Sequence, residues 1–473
     1  MNRDIEKDIS KIIYFYKANA SQINYMKKEE ISSLQHTYVK LHRGGDIIIL
    51  DKGEVIDSEA EAMLQALHSR STGGLKSHLE ILAKRGAQNF MSNFYVGYGH
   101  KSIGDCGTTT IFVEGVSMLA VKAVQDTPLY SGQESSTRYV DFSKQPFIDP
   151  TQTQEGSEIL EEQRKFYLNA QEPTREYLKK LNPRKEEDNS TYEKAINARA
   201  FDITRSLLPA GSSTNFSWHT NLRQAADRLL FLRHHPLKEV REMSTGLEEA
   251  LKKAYPNSFG HKRYEGTEGY QDLVAKNYYY HDLESPTEPV IDFDKIDLLE
   301  LERHRNLFTR PAKTELPKYL SQIGIIDVKF QLDFGSFRDL QRHRALIQRM
   351  PLLTHDLGFN QWYIENLPNE VKEKLPEYLD KINATINRLG VSPEEAQYFL
   401  PMGYNVSNRF SGDLPASIYM VELRDSRFVH PTLQKIAHNI GSQINSRLNI
   451  PIYADSEPNR FDIRRGEHDI NIK

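Results

Sequence analysis

The stretch Thr204–Pro209 reads TRSLLP, and a related stretch, AQYFLP, stands at Ala396–Pro401. Each Leu-Pro pair is followed by a Leu-Arg pair, which ends 24 residues after Pro209 in the first case and 23 residues after Pro401 in the second. Strand and helix patterns precede both stretches in much the same order. The chain is therefore predicted to contain a tandem repeat of about 200 residues.

The hydrophobic pattern assigns elements to each repeat. In the first, Ile47–Leu50 is a buried strand pattern, and Asp57–Arg70 has helical spacing with Asp57 or Ser58 as N-cap. Residues 256–290 are rich in Gly, Tyr, His and charge, with little periodicity, which predicts a linker. The predicted organisation is an N-terminal extension (1–43), a first repeat (44–255), the linker (256–290) and a second repeat (291–473). Further predicted elements are strands at Thr108–Val116 and Asp327–Phe334, and helices at Met118–Val124, Gly156–Leu181, Arg338–Arg349 and Glu370–Leu389.

The composition narrows the function classes. Of 473 residues, 61 are Lys or Arg and 65 are Asp or Glu, so the net charge is only -4. This balance argues against a nucleic-acid coat or a polybasic membrane-surface protein, and no stretch reaches the roughly 20 apolar residues of a membrane helix. The single cysteine, Cys106, excludes an intrachain disulfide framework, and the N-terminus lacks the apolar core of a signal peptide. The protein is expected in the reducing cytoplasmic compartment.

Two segments carry chemistry suited to an anionic ligand. Arg342-His343-Arg344 places two guanidinium groups beside an imidazole, and guanidinium forks match phosphate oxygens while remaining charged. Gly132–Tyr139 (GQESSTRY) is a polar loop whose hydroxyls and arginine could cradle a phosphate. A solvated surface is the alternative for both, and a second triplet, Arg303-His304-Arg305, shows that the tripeptide alone is not diagnostic. The sequence has no Walker loop, no G-x-G-x-x-G after a strand and no metal-ligand spacing.

In combination, these motifs resemble the flavin-dependent thymidylate synthases. That family has an RHR triplet and, after seven residues, Ser-x-Arg-Tyr, with a Gly-His-x-Ser/Thr loop before them and Ala-Arg-x-x-Leu-Pro, Asn-x-Arg and Leu-Arg after them. The RHR triplet stands in the second repeat, within FRDLQRHR (Phe337–Arg344). The first repeat has GHKS (Gly99–Ser102), ESSTRY (Glu134–Tyr139), TRSLLP (Thr204–Pro209), NLR (Asn221–Arg223) and FLR (Phe231–Arg233).

The two repeats have complementary losses relative to this pattern. At the place of RHR the first repeat has Asp126-Thr127-Pro128, whereas the second has Leu352 in place of the serine of Ser-x-Arg-Tyr. The second also has Gln397 where the first has Arg205. In the family, single-domain subunits form a homotetramer and share each active site. The resemblance therefore implies that the fused repeats keep one composite site and have lost its mirror-image site.

The resemblance further implies the fold and the reaction. The expected fold is α+β, with two tandem repeats of the flavin-dependent thymidylate synthase fold (helices packed on a small mixed sheet) forming a pseudo-dimer. The expected reaction is FAD-dependent methylation of dUMP to dTMP, with methylenetetrahydrofolate as carbon donor and NADPH as reductant. No enzyme cysteine attacks the uracil ring in this family. A homodimer of the chain is expected, because four family subunits share a buried face.

Particular side chains receive roles from the same resemblance. Arg424 is expected to be catalytic and to stabilise charge near N3 and O2 of the pyrimidine, with Arg233 as its counterpart at the lost site. The substrate-binding residues are expected to be Glu134, Ser136, Arg138 and Arg205. The flavin-binding residues are expected to be Ser102, Asn221, Arg223, Arg342, His343 and Arg344.

Departures from the family pattern leave two alternatives open. Asp339 stands where the family has the glutamine of Q-x-x-R, and Gln133 replaces an asparagine of the Ser-x-Arg-Tyr loop. One alternative is a flavin-dependent modification of another pyrimidine nucleotide. The other is a catalytically inactive paralogue that binds a nucleotide or nucleic acid.

Overall fold

The computed structural model describes residues 36–50, 56–71, 74–137 and 140–455. Within them it shows an α+β protein with two four-stranded sheets, in the order β1-β2-β3-β4 and β5-β6-β8-β7. The strands are β1 (His36–Lys40), β2 (Asp46–Leu50), β3 (Thr108–Ser117), β4 (Ser213–Asn221), β5 (Val290–Asp292), β6 (Ile325–Asp333), β7 (Ile347–Gln348) and β8 (Asn405–Asp413).

All hydrogen-bonded strand neighbours are antiparallel, so the predicted mixed sheets are wrong. An apolar pattern reports which face of a strand is buried but carries no information on strand direction, which explains the error. β1 lies inside the segment predicted as an N-terminal extension, and it pairs with β2 at the edge of the first sheet.

Helices cover the sheets and connect them. None in the described part of the chain is both long and apolar enough to cross a membrane. The helices before β5 are α1 (Ser58–His68), α2 (Gly74–Arg85), α3 (Gln88–Phe90), α4 (Lys101–Gly104), α5 (Met118–Gln125), α6 (Gln154–Leu181), α7 (Asn189–Thr204), α8 (Leu222–Leu232), α9 (Lys238–Ala254) and α10 (Glu265–Lys276). Those after β5 are α11 (Leu298–Arg303), α12 (Phe334–Leu340), α13 (Gln361–Asn366), α14 (Asn369–Lys372), α15 (Leu375–Leu389), α16 (Pro393–Ala396), α17 (Leu414–Arg424) and α18 (Pro431–Leu448).

The first sheet confirms several predicted elements. β2 places Ile47 opposite Val113 of β3, and both side chains are fully buried. The carboxylate of Asp57 accepts a hydrogen bond from Ala60 N at 2.7 Å, so it caps α1 as predicted. Helix α9 contacts β1 and β2. The core of this half therefore lies between the sheet and its helices.

The second sheet differs from the prediction after β6. Asp333 caps α12 by accepting from Ser336 N, so this helix starts before the predicted helix at Arg338–Arg349 and ends at Leu340. A turn follows, and Ile347 then pairs with Ser411 of β8. The turn exists because β7 uses its backbone groups in the sheet, which a continuous helix would prevent. The predicted long helix at Glu370–Leu389 is likewise two helices, α14 and α15.

The predicted linker contains helix α10 and a buried tyrosine segment. In α10 only Ala275 is buried, while Tyr270 and Leu273 are exposed. An exposed helix needs no apolar stripe, which explains why the sequence showed little periodicity there. Tyr278 and Tyr280 follow the helix and are buried.

Two backbone segments, 206–211 and 398–403, pair with each other across the two halves; we refer to this pairing as the Leu-Pro seam. Each of its hydrogen bonds has a counterpart in which donor and acceptor lie 192 residues from the equivalent atoms. A Cβ on Gly211 would lie 2.6 Å from Tyr398 O, so glycine permits this approach. The bonds are Ala210 N to Leu400 O (2.9 Å), Met402 N to Leu208 O (2.9 Å), Gly211 N to Tyr398 O (3.0 Å) and Gly403 N to Ser206 O (2.9 Å).

Candidate functional site

A cleft of about 440 Å³ lies between the two predicted repeats. The loop Gly132–Thr137 and Arg205 line it from the first repeat, and α12 with the following turn lines it from the second. Among the described residues, four arginines and two carboxylates line the cleft, which gives them a net charge of +2. The charged lining residues are Glu134, Arg205, Arg338, Asp339, Arg342 and Arg344.

A buried ion cluster anchors the loop of the first repeat to the second. Glu134 accepts hydrogen bonds from Lys122 Nζ at 2.7 Å and from Arg338, and all three side chains are buried. Burial alone would raise the pKa of Glu134, but Arg338 and Lys122 outweigh it and lower this pKa to about 2. Burial lowers the pKa of Lys122 to about 8, although Glu134 opposes that shift. Glu134 is therefore ionised at neutral pH and positions the loop that it belongs to.

The substitution Glu134→Gln is expected to lower the free energy of unfolding by about 3 kcal/mol at pH 7, because it leaves two buried cations without their anion. The folded-state pKa of Glu134 lies below its ordinary value of 4.5, so its contribution is present above that pH and is lost as the pH falls toward about 2. Urea unfolding of both proteins between pH 7 and pH 2 measures the difference, which should shrink over that range.

Glu172→Gln is the matched control for this prediction, since Glu172 pairs with Arg175 at the surface. It should change the free energy of unfolding by less than about 0.5 kcal/mol. Equal effects of the two substitutions would contradict the role given to the buried cluster.

Two buried arginines direct unused hydrogen-bonding capacity at the cleft. Arg205 follows α7, is 6% exposed, and donates from Nη2 to Ser336 Oγ at 3.2 Å. Arg338 is 7% exposed. The Nε groups of both arginines are buried without a hydrogen-bond partner. Unpaired buried donors on cations that line a cleft are suited to an anionic ligand.

Asp339 also lines the cleft, where it offsets part of the positive charge. Burial would raise its pKa, but Arg342, Arg205, Arg424 and Arg338 together lower it to about 2. Its carboxylate lies 3.4 Å from Arg342 Nε. The site therefore combines a cluster of arginines with one internal carboxylate.

The arginine triplet occupies the turn after α12. The Arg342 side chain is 53% exposed, and Arg344 lies over the ring of Tyr130 at 5.0 Å. His343 is buried, and burial together with Arg424 lowers its pKa to about 3. The imidazole is therefore neutral at pH 7 and can accept a hydrogen bond.

Arg424 lies next to this turn but is not among the cleft-lining residues. Its Nε donates to His343 Nε2 at 2.7 Å, and its Nη2 donates to Asp339 O at 2.9 Å. These two bonds fix the plane of the guanidinium and leave further N–H groups for a ligand. Its predicted counterpart, Arg233, instead forms a two-pronged ion pair with Glu268 of α10.

The remaining predicted residues fall into three groups. Ser136 lines the cleft, and Arg138 lies outside the described residues. Three predicted flavin-binding residues do not line the cleft. Of these, Ser102 is exposed on α4, Asn221 caps α8, and Arg223 pairs with Asp105 at 2.7 Å. One chain does not bring this second group of residues to the arginine triplet.

Sequence reasoning missed Lys122 and Arg338. Lys122 was read only as part of an apolar helix, although a lone lysine among Val and Ala residues signals a buried ion pair. Arg338 stands inside the quoted FRDLQRHR, four residues before the triplet and therefore on the same side of a helical turn. The buried partner of both, Glu134, comes from a separate segment, and sequence spacing does not report that contact.

Comparisons with known proteins agree with the motifs. Residues 54–257 match the profile of a family described as thymidylate synthase complementing protein. The chain is similar to UPF0159 proteins of Chlamydia pneumoniae (26% identity) and Chlamydia muridarum (25% identity), each alignment covering 76% of this chain and 78% of the relative. A UPF0159 protein of Thermoplasma acidophilum is 23% identical, over 76% of this chain and 86% of its own length.

Proposed function

Because residues 54–257 make the chain a member of the thymidylate synthase complementing proteins, which are the flavin-dependent thymidylate synthases, we propose that it methylates dUMP to dTMP. The proposed cofactor is FAD, with methylenetetrahydrofolate as carbon donor and NADPH as reductant. The observation that carries the proposal is the cleft, where two buried arginines, one from each half of the chain, have unpaired Nε groups.

We also propose that the two halves form a pseudo-dimer. The Leu-Pro seam supports this, because its bonds are reciprocal. β4 and β8 have nine residues each, and the helices that follow them, α8 and α17, have eleven each. Equal lengths and reciprocal bonds are what an approximate two-fold axis between related halves produces.

The phosphate of dUMP is proposed to bind between Arg205 and Arg338. Both guanidiniums keep an unpaired Nε, and phosphate oxygens accept such charge-assisted hydrogen bonds. Ser136 lies in the lining loop and would offer its hydroxyl, and Arg138 would add a further cation from the same loop. Glu134 holds this loop in place and does not itself bind the phosphate, because its oxygens already accept from Lys122 and Arg338.

Arg424 is proposed to act on the pyrimidine. The neutral imidazole of His343 accepts from Arg424 Nε, so the ring proton of His343 is assigned to Nδ1. The remaining N–H groups of Arg424 are proposed to donate toward O2 and N3 as negative charge develops in the ring. His343 is thus a positioning residue that orients the arginine before substrate binds.

The residues of a single chain do not by themselves fit FAD. Arg342 and Arg344 lie at the cleft, whereas Ser102, Asn221 and Arg223 lie apart from it. We propose a homodimer in which the second group from one copy faces the arginine triplet of the other. Sedimentation equilibrium with FAD should give a dimer holding one FAD per chain, and a monomer saturated with FAD would contradict this arrangement.

The function is tested by complementation of a thymidine auxotroph, together with a dTMP-formation assay on purified protein. The wild-type chain should restore growth, and Arg344→Ala and Arg138→Ala should each abolish it, since both remove a cation from the composite site. Arg303→Ala is the matched control, because it alters the exposed second triplet, where Arg303 pairs only with Glu300. Purified protein that binds FAD and dUMP but forms no dTMP would contradict the proposed reaction.

Asp339 favours a second candidate, the modification of another pyrimidine nucleotide. Its carboxylate accepts hydrogen bonds and donates none, whereas the glutamine of the family pattern does both. An acceptor of this kind can pair with the 4-amino group of cytosine. Turnover of dUMP, dCMP and UMP should be compared in one assay, and a dCMP rate above the dUMP rate would select this candidate.

A further inference from the structure

The tyrosine segment Tyr278–Tyr280 lies on the residues that correspond, in the other half of the pseudo-dimer, to the walls of the cleft. The correspondence follows from strand register, in which strand residues of the two halves are 192 apart and loop residues 216 apart. Four pairs define it: Ser131 with His219 and Ile347 with Ser411, and Ser117 with Ser213 and Asp333 with Asn405.

The residues at the corresponding positions cannot hold a phosphate. They carry no cation, and one of them is a carboxylate, which repels an anion. Gln397 is already engaged, since its Oε1 accepts from Leu353 N at 3.0 Å. The substitutions are Asp126 for Arg342, Met350 for Glu134, Leu352 for Ser136 and Gln397 for Arg205.

The tyrosine segment contacts two of these walls. Tyr278 Oη donates to Asp126 Oδ2 at 2.7 Å, at the position that corresponds to Arg342 in the cleft. Leu352 N donates to Tyr280 O at 2.9 Å, at the position that corresponds to Ser136. Tyr278 is 4% exposed, so its ring is enclosed. The chain itself therefore supplies the groups that satisfy these walls.

The ring of Tyr280 is held from both sides. The guanidiniums of Arg349 and Arg409 lie 5.0 Å and 4.7 Å from its centroid, within the range of cation–π contacts. Its hydroxyl also accepts from Arg409 N at 3.2 Å. Two of the cations nearest to this position are thus committed to an aromatic ring.

We propose that Tyr278–Tyr280 is a built-in occupant of the cleft's counterpart, so that each chain has one nucleotide site and one site filled by its own tyrosines. The segment joins the two halves and is part of the same core, which keeps it in place in the absence of any ligand. The inference rests on the proposed function only for the identity of the nucleotide in the open cleft.

The test compares the full-length wild type with Tyr278→Ala and the matched control Tyr270→Ala, whose side chain is 63% exposed on α10. Tyr278→Ala should lower the melting temperature by roughly 5 °C or more, because it empties an enclosed aromatic position. Addition of 4-methylphenol should restore part of that loss in Tyr278→Ala alone, since a dry cavity of matching shape binds small aromatics. Tyr270→Ala should leave the melting temperature unchanged to within about 1 °C.

Equilibrium dialysis with dUMP completes the test and should give one nucleotide per wild-type chain. Two nucleotides per chain, or an unchanged melting temperature in Tyr278→Ala, would overturn the inference. If Tyr278→Ala does not fold, Tyr278→Phe removes only the hydroxyl that Asp126 accepts from, and a fall of about 2 °C is then expected. A failure of dUMP to bind at all would refute the proposed function, while the melting measurements would still decide the inference.

Discussion

Replacing Arg424 by alanine is expected to lower kcat for dTMP formation by about 10²–10³-fold, because its free N–H groups are proposed to stabilise charge that appears only as the pyrimidine reacts. The Kd for dUMP should change by less than about threefold, since the phosphate contacts remain. Single-turnover dTMP formation and equilibrium dialysis measure the two quantities on the same preparation. Arg424→Lys should recover only a small part of the rate, because a lysine cannot reproduce the fixed fork geometry.

Arg233→Ala is the matched control for Arg424. The two arginines were predicted as counterparts, but Arg233 is bound by Glu268, whereas Arg424 is bound by a neutral histidine and a backbone carbonyl. The control should leave kcat within about twofold of wild type. A comparable loss in both variants, or normal kcat in Arg424→Ala, would contradict the catalytic role.

Replacing Arg205 by glutamine is expected to raise the Kd for dUMP about 100-fold, or about 2.7 kcal/mol, because a buried charge-assisted contact to the phosphate is lost. The Kd for deoxyuridine, which has no phosphate, should stay within about twofold. Isothermal titration with both ligands separates the phosphate contact from general damage to the cleft. Equal weakening of both ligands would show that Arg205 acts only through the structure around it.

Glutamine is the informative replacement at this position because the chain already contains its own example. Gln397 stands at the equivalent place in the other half, is fully buried and has its hydrogen bonds satisfied there. Far-ultraviolet circular dichroism and the melting temperature of Arg205→Gln provide the folding control. A variant that melts normally and still binds dUMP as tightly as wild type would remove Arg205 from the phosphate site.

Much of the fold could be predicted because its elements have strong local patterns. The strand at Ile47–Leu50, the Asp57 cap and the helix at Gly156–Leu181 each depend on residues close in sequence. Strand direction and the turn after α12 could not be predicted, because they depend on which distant strand supplies the hydrogen bonds. In the same way, α10 lacks an apolar face and left no pattern to detect.

The composition of the cleft was predicted in part. Glu134, Ser136, Arg205 and the arginine triplet come together there, as motif spacing and family resemblance implied. The ion cluster of Lys122, Glu134 and Arg338 could not be predicted, since its members lie up to 216 residues apart and meet only after the halves pack. Ser102, Asn221 and Arg223 were expected at the same place, and the packing of α4 against α8 holds them elsewhere.

The Leu-Pro seam joins the halves through amide and carbonyl groups alone. Backbone groups are common to all residues, so side chains around the seam can be exchanged without loss of the pairing, provided that the donor positions avoid proline. In a dimer of identical subunits every mutation appears twice, at both sites at once. In this chain a mutation alters one half only, so the two sides of the axis are free to evolve under different selection.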